Sequence, residues 1–145
     1  YNFLTQPFAA KIVIILALLW RWTGYNMVFF LSGLQNIEYS VYEAAKIDGA
    51  SAIQTFFKIT VPLLKPTILL TAIMSTNGTL QLFDESINLT DGGPANASIS
   101  MSHYIYNLCF KYVPNFGYAA AMSFFILLLV AVLAFIQMRV GDKRD

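Results

Sequence analysis

Two stretches of the chain run far without a charged residue and a third holds a single one, and they organise everything else. From Gly117 to Met138 no charge occurs until Arg139 closes the run; at about 1.5 Å per residue a helix of this length crosses the roughly 30 Å hydrocarbon layer of a bilayer. A second uncharged run, Pro66 to Phe83, follows Leu63, Leu64 and Lys65. It contains Thr71, Ser75, Thr76, Asn77, Thr79 and Gln81, a pattern suited to a helix that faces protein or water, not lipid. The first run, Ile12 to about Leu34, carries Arg21 between Trp20 and Trp22. The pattern therefore predicts an all-α membrane protein, a partial polytopic helix bundle with three spans at about 12–34, 63–83 and 117–138.

The connecting segments have patterns of their own. The external segment, 84–116, opens with the turn-forming Asp91-Gly92-Gly93-Pro94. Beyond it Met101, Tyr104, Ile105, Leu108 and Tyr112 recur at helical spacing, with Ser102, Asn107 and Lys111 elsewhere on the wheel, which predicts an interfacial helix. The loop 35–62 holds two helix-start signatures, Ser40-Val41-Tyr42-Glu43 and Ser51-Ala52-Ile53-Gln54. Each reads as a capping box, in which the serine accepts from a backbone N–H and the Glu or Gln reaches back to the serine N–H. Gly49 supplies the turn between them, and Pro62 marks where the next helix begins. The loop is thus expected to be a folded helix-turn-helix. Its second helix places Ile53, Phe56, Phe57 and Thr60 on one side, to be covered either by the inner ends of the chain's own spans or by a partner.

Composition agrees with a membrane assignment. The chain has 145 residues, 57% hydrophobic and 12% charged, against about 25% charged in ordinary soluble domains. A disordered tail or nucleic-acid arm is excluded, and a net charge of +1 implies no nucleic-acid partner. A single Cys109 excludes a disulfide framework or a cysteine-based metal site. If the loop 35–62 with Lys65 and the tail after Met138 are cytoplasmic, they hold Lys46, Lys58, Lys65, Arg139, Lys143 and Arg144, leaving Lys11 and Lys111 outside. The chain opens at Tyr1 without an initiator methionine or a signal segment, so a fragment is expected.

The string Glu43-Ala44-Ala45, then Gly49, then Ile59-Thr60-Val61-Pro62 resembles the EAA loop of permease subunits of binding-protein-dependent ABC importers. Lys46-Ile47-Asp48-Gly49-Ala50-Ser51 and Pro62-Leu63-Leu64-Lys65-Pro66 are similar to the carbohydrate branch, of maltose and lactose type, as are Gly24-Tyr25-Asn26-Met27, Gly92-Gly93-Pro94 and Phe116-Gly117-Tyr118-Ala119-Ala120-Ala121. Glu38, where the family often has proline, Val61 for leucine and Asp91 for glycine depart from it. The resemblance implies a multi-pass subunit of a bacterial-type plasma membrane, MetI-like, with no cofactor. It implies a sugar substrate and three partners: an ABC ATPase dimer, a second homologous permease subunit and an extracytoplasmic solute-binding protein. ATP hydrolysis is then expected in a separate chain, and 1–145 in the C-terminal part of a subunit about twice as long. By the same resemblance Glu43, Ala44, Ala45, Asp48, Gly49, Ile59 and Pro62 form the ATPase-coupling element.

Polar residues inside spans mark a substrate path: Asn26 in the first and Ser75, Asn77, Thr79 and Gln81 in the second, with Tyr25 or Phe83 covering the C–H face of a sugar ring. The competing reading has Ser and Thr bonding their own backbone and Asn or Gln joining helices. Arg21 is expected to pair inside the bundle, with partners supplied by a missing N-terminal half. His103 is expected to be an isolated interfacial residue, and Asp84 and Glu85 a solvated helix end or docking contact, not a metal site or an acid/base pair. A permease for another small solute, a membrane scaffold and a membrane-embedded enzyme are the alternatives; the enzyme would need convergent titratable groups in the spans, where only Arg21 lies.

Overall fold

The computed structural model describes residues 3–141, and among them every regular element is helical. After a short 3-10 turn the first long helix, α1 (Pro7–Gln35), begins with proline in its opening turn, where a missing N–H costs nothing. It starts five residues before the predicted 12–34 span and is about 44 Å long, enough to cross a bilayer with some tilt. The last helix, α7 (Phe116–Gly141), is the other continuous span. Ile15, Leu19, Trp20, Phe124, Leu127 and Val132 stand exposed on these two helices, an arrangement that lipid solvates without penalty.

The middle span is built differently. Helix α3 (Ala52–Thr55) runs through a π turn (Phe56–Thr60) into α4 (Val61–Leu63), and then the axis bends by 64° into α5 (Lys65–Leu80). Pro62, expected to open the span, instead lies within the continuous helical stretch. The break comes at Leu64 because Pro66 has no N–H to offer the Pro62 carbonyl, and its ring crowds that carbonyl. The π turn ahead of Pro62 widens the ladder where that ring must fit. Helix α5 alone is about 24 Å long; among the described residues two helices are long and apolar enough to cross a membrane as single rods, and the bent pair passes the same test only when its two arms are taken together.

Helices α1 and α5 are antiparallel and touch backbone-close at both ends. At the end next to the 35–62 loop a Cβ on Gly33 would lie 2.9 Å from Leu64 Cδ2 and Thr67 Oγ1; at the other a Cβ on Gly78 would run into the Trp22 ring. Small residues at such crossings let helices associate in lipid, where no hydrophobic drive brings them together. Between these points Asn26 and Ser75 bond each other. Helix α7 packs antiparallel on α5, with Gln137 Nε2 donating to Thr76 Oγ1 at 2.8 Å and Gly141 closed over by Leu69.

Gly78→Val drives a branched side chain into Trp22 and should lower the stability of the protein by about 1–3 kcal/mol. Gly24→Ala, facing open space, should leave it unchanged or slightly raised. Melting of both variants in detergent checks the pair; equal melting would remove the crossing from the account.

Candidate functional site

Helix α2 (Tyr39–Ile47) and the α3–α4 stretch form the predicted helix-turn-helix, and local bonds define its turn fully. Asp48 ends α2, Gly49 adopts φ +74°, the Gly49 N–H donates to Lys46 O and the Ala50 N–H donates to Ala45 O. This pair of bonds is a Schellman motif, and its left-handed position suits glycine alone among common residues. At the next residue, Ser51 and Gln54 complete a capping box: Ser51 Oγ accepts from Gln54 N at 3.3 Å and Gln54 Oε1 accepts from Ser51 N at 2.9 Å. Tyr42 and Thr60 hydroxyls, 3.2 Å apart, clip the two helices together.

The first capping box does not form. Helix α2 already begins at Tyr39, with Glu38 extended as its N-cap and Val41 N bonding Glu38 O, so Ser40 lies inside the first turn where its hydroxyl cannot cap. Glu43 is thereby released, and among the described residues its carboxylate makes no hydrogen bond or ion pair. Glu43, Ala44, Asp48 and Pro62 are exposed, Ile59 is half-buried and Ala45 is buried. On the expected apolar side only Thr60 is buried. Ile53 is 72% exposed, Phe56 and Phe57 pack edge to face on each other with both rings exposed, and Ile47 is 86% exposed. The described spans leave that side uncovered.

The polar candidates of the spans divide into separate settings. Asn26 and Ser75 spend their side-chain bonds on each other, at 3.1 and 3.2 Å, as interhelical ties. Tyr25 lies beside them, its hydroxyl 3.9 Å from Met74 Sδ and its ring in a run from Trp22 to Phe29. Thr71 and Thr76 bond their own backbone carbonyls. Asn77 has a buried Oδ1 without a partner among the described residues, Thr79 is exposed, and Gln81 lines a cleft of about 500 Å³ with Ser102, Ser123 and apolar residues of α7.

Two charged groups have other surroundings than their sequence neighbours suggest. Arg21 Nη1 meets Glu85 Oε1 at 2.8 Å and Asp84 Oδ2 at 3.9 Å, so this chain itself supplies a counter-charge, which was expected from a missing N-terminal half. Glu85 is correspondingly buried, not a solvated helix end. His103, at the centre of α6 (Met101–Tyr106), is fully buried instead of interfacial. Ser86 Oγ directs its one hydrogen to Ser98 O and accepts from Ser100 N, so at 2.9 Å it accepts from His103 Nδ1–H. The bare Nε2 then faces Asp91 Oδ1 at 3.6 Å, while Asp91 itself pairs with Lys111 Nζ at 2.8 Å. The serine, histidine and aspartate resemble a hydrolytic triad only in composition. Ser86 and His103 are sealed from substrate. No group of three or more metal-ligating side chains occurs among the described residues.

The fold agrees with that of a solved bacterial ABC transporter involved in import of the acidic polysaccharide alginate, at TM-score 0.81 and 26% identity, covering 97% of this chain and 49% of that one. Residues 2–144 match the family described as the binding-protein-dependent transport system inner membrane component. The chain belongs to that family. It is 56% identical to the lactose transport system permease protein LacF of Rhizobium radiobacter, over 99% of this chain and 49% of that protein. It is 37% identical to the multiple sugar-binding transport system permease protein MsmF of Streptococcus mutans, over 92% and 46%, and 36% identical to the trehalose/maltose transport system permease protein MalF of Thermococcus litoralis, over 99% and 48%. The chain therefore spans about half the length of these relatives. As an inner-membrane component it has its spans in the plasma membrane, as its two long apolar helices require.

Two predictions follow from the charged groups of this inner-membrane component. Arg21→Met leaves the largely buried Glu85 carboxylate without its cation and should cost about 1.5–3 kcal/mol, reduced by the half-exposed position of Arg21, with Arg21→Lys recovering part. Equal melting of the three proteins would deny the pair any structural weight. Burial holds the His103 imidazole below its ordinary 6.5, with Asp91 pulling up and Lys111 down. The unfolded chain then takes the proton first, so stability is level above pH 6.5 and falls as pH drops below it. Asp91, held below its ordinary 3.8 by the Lys111 bond, contributes only in far stronger acid. Melting from about pH 8 to pH 5 should show the fall, and His103→Gln should flatten it.

Proposed function

We propose that this chain is the EAA-loop-bearing part of a permease for sugars or oligosaccharides, driven by a separate ABC ATPase dimer and completed by a second permease subunit and an extracytoplasmic binding protein. The sugar assignment rests on relatives named for lactose, multiple sugars and trehalose/maltose. The observation that carries the coupling role is the loop itself. A Schellman turn, a capping box and the Tyr42–Thr60 clip stiffen it, yet Glu43, Ile47, Ile53, Phe56 and Phe57 remain open to a partner.

A stiff loop seated in an ATPase cleft moves when the ATPases close, and the 64° bend into α5 passes that displacement into the membrane. ATP drives the change only by favouring one state over the other. Glu43, Ala44, Ala45, Asp48, Gly49, Ile59 and Pro62 form the coupling element. The uncapped Glu43 carboxylate is available for charge-assisted bonds from the ATPase. Along the path, Asn77, Thr79 and Gln81 are the groups free to meet sugar hydroxyls, Tyr25 offers a ring face, and Asn26 and Ser75 hold the helices between which the sugar passes.

In the complete permease reconstituted with its ATPase and binding protein, one sugar of a panel should stimulate ATP hydrolysis; stimulation by a non-carbohydrate solute alone would sink the sugar assignment. Gly49→Val, forced into a left-handed backbone, should lose the co-purifying ATPase. Glu43→Gln should keep the fold and weaken transport-coupled hydrolysis; full coupling in that variant would leave Glu43 without a coupling role.

A further inference from the structure

The crook between α2 and the α3–π stretch holds a cleft of about 510 Å³. Phe56 forms one wall, and Ala50 and Ala52, whose side chains end at Cβ, keep the space beside it open. The Tyr42 and Thr60 hydroxyls also line the cleft and already have each other as partners, 3.2 Å apart. Lys46, one turn along α2 from Tyr42, lines the same cleft and is exposed. Among the described residues no carboxylate pairs with its ammonium, although Glu43 lies one turn before it and Asp48 two residues after. Glu43 and Lys46 sit on neighbouring stripes of the helix, so each charge is open to a separate partner.

We propose that Lys46 anchors a carboxylate side chain of the ATPase in this cleft, with the methylenes of that side chain against Phe56 and its charge at the ammonium. The proposal rests on the coupling role given to the loop and adds to it the residue that recognises the partner. Charge complementarity favours a protein carboxylate over an anionic membrane surface. With Glu43 and Asp48 beside Lys46 this stretch is net acidic, which a field of negative headgroups repels, whereas a single carboxylate placed in the cleft meets the lysine alone. Opposite charges at Glu43 and Lys46 then require the ATPase surface to present a cation and a carboxylate in matching order. A mismatched ATPase, or a reversed seating, sets like charges against each other, so the pair selects both partner and orientation.

The test uses the complete permease in phosphatidylcholine nanodiscs with its own ATPase, and reads affinity by titration at low and high salt. The wild type should bind the ATPase and lose affinity as salt rises. Lys46→Glu should weaken binding about tenfold, and Lys58→Glu, the same charge change outside the cleft, less than about twofold. Lys46→Gln removes the attraction without adding repulsion; it should cost about threefold with a shallower salt dependence, so that the complex still assembles at high concentration. Among acid-to-lysine variants across the permease-facing surface of the ATPase, one should restore binding to Lys46→Glu and weaken binding to the wild type, which a mere loss of α2 stability would not produce. Equal losses from the two reversals, or a scan in which no ATPase variant restores binding, overturns the proposal. So does a Lys46→Glu defect that arises only when phosphatidylglycerol replaces phosphatidylcholine, which would assign the lysine to the membrane surface. A wild type that binds no ATPase would overturn the coupling role as well, whereas ATPase binding indifferent to Lys46 overturns this proposal alone.

Discussion

The close antiparallel crossing of α1 and α5 is the constraint on which the rest of the arrangement depends. Without side chains at Gly33 and Gly78 the two helices approach until Leu64, Thr67 and Trp22 fill the space a Cβ would take. That approach brings Asn26 within reach of Ser75 and sets Arg21 beside Glu85 at the outer end. In a bilayer these polar ties gain their weight from the absence of water, and packing has to come from shape. The crossing also holds the start of α5, with Leu64 and Thr67 against Gly33, at the point from which the loop 35–62 departs.

That departure is governed by proline chemistry. Pro66 cannot continue the ladder from α4, so the helix bends at Leu64 instead of running straight out of the membrane. The loop then lies across the end of the bundle as a unit stiffened within itself. Gly49 and the Ser51 capping box spend backbone donors and acceptors locally, which leaves the large apolar side chains of the loop uncommitted. At the other end of the bundle the segment from Ser86 to Lys111 follows the same logic, with Ser86, Ser98 and His103 buried in one polar cluster.

Much of this was legible from local pattern. The apolar runs mark the long helices α1, α5 and α7 to within five residues at each end. Ser51 and Gln54 at capping spacing, with Gly49 before them, gave the turn, because these signals act over four residues or fewer. The EAA-type string gave the family. What was hidden depended on long-range placement. Ser40 and Glu43 have the same spacing as Ser51 and Gln54, yet the chain enters α2 two residues earlier, at an extended Glu38. Nothing local announces that Arg21 will meet Glu85 or that His103 will be enclosed by Ser86 and face Asp91. Sequence alone puts the polar span residues in one group, whereas packing assigns Asn26 and Ser75 to each other and turns Gln81 toward a separate cleft.

The proposed function has the loop 35–62 moving as one body when the ATPases close. It is tested most directly by spin-label distances in the complete transporter, with Cys109 replaced and labels at the exposed Lys46 and Lys58 positions. The account predicts that the distance between these labels within one loop stays the same with and without ATP, while the distance between Lys46 labels on the two permease loops shortens when ATP binds. A within-loop distance that shifts or broadens on ATP binding would contradict it.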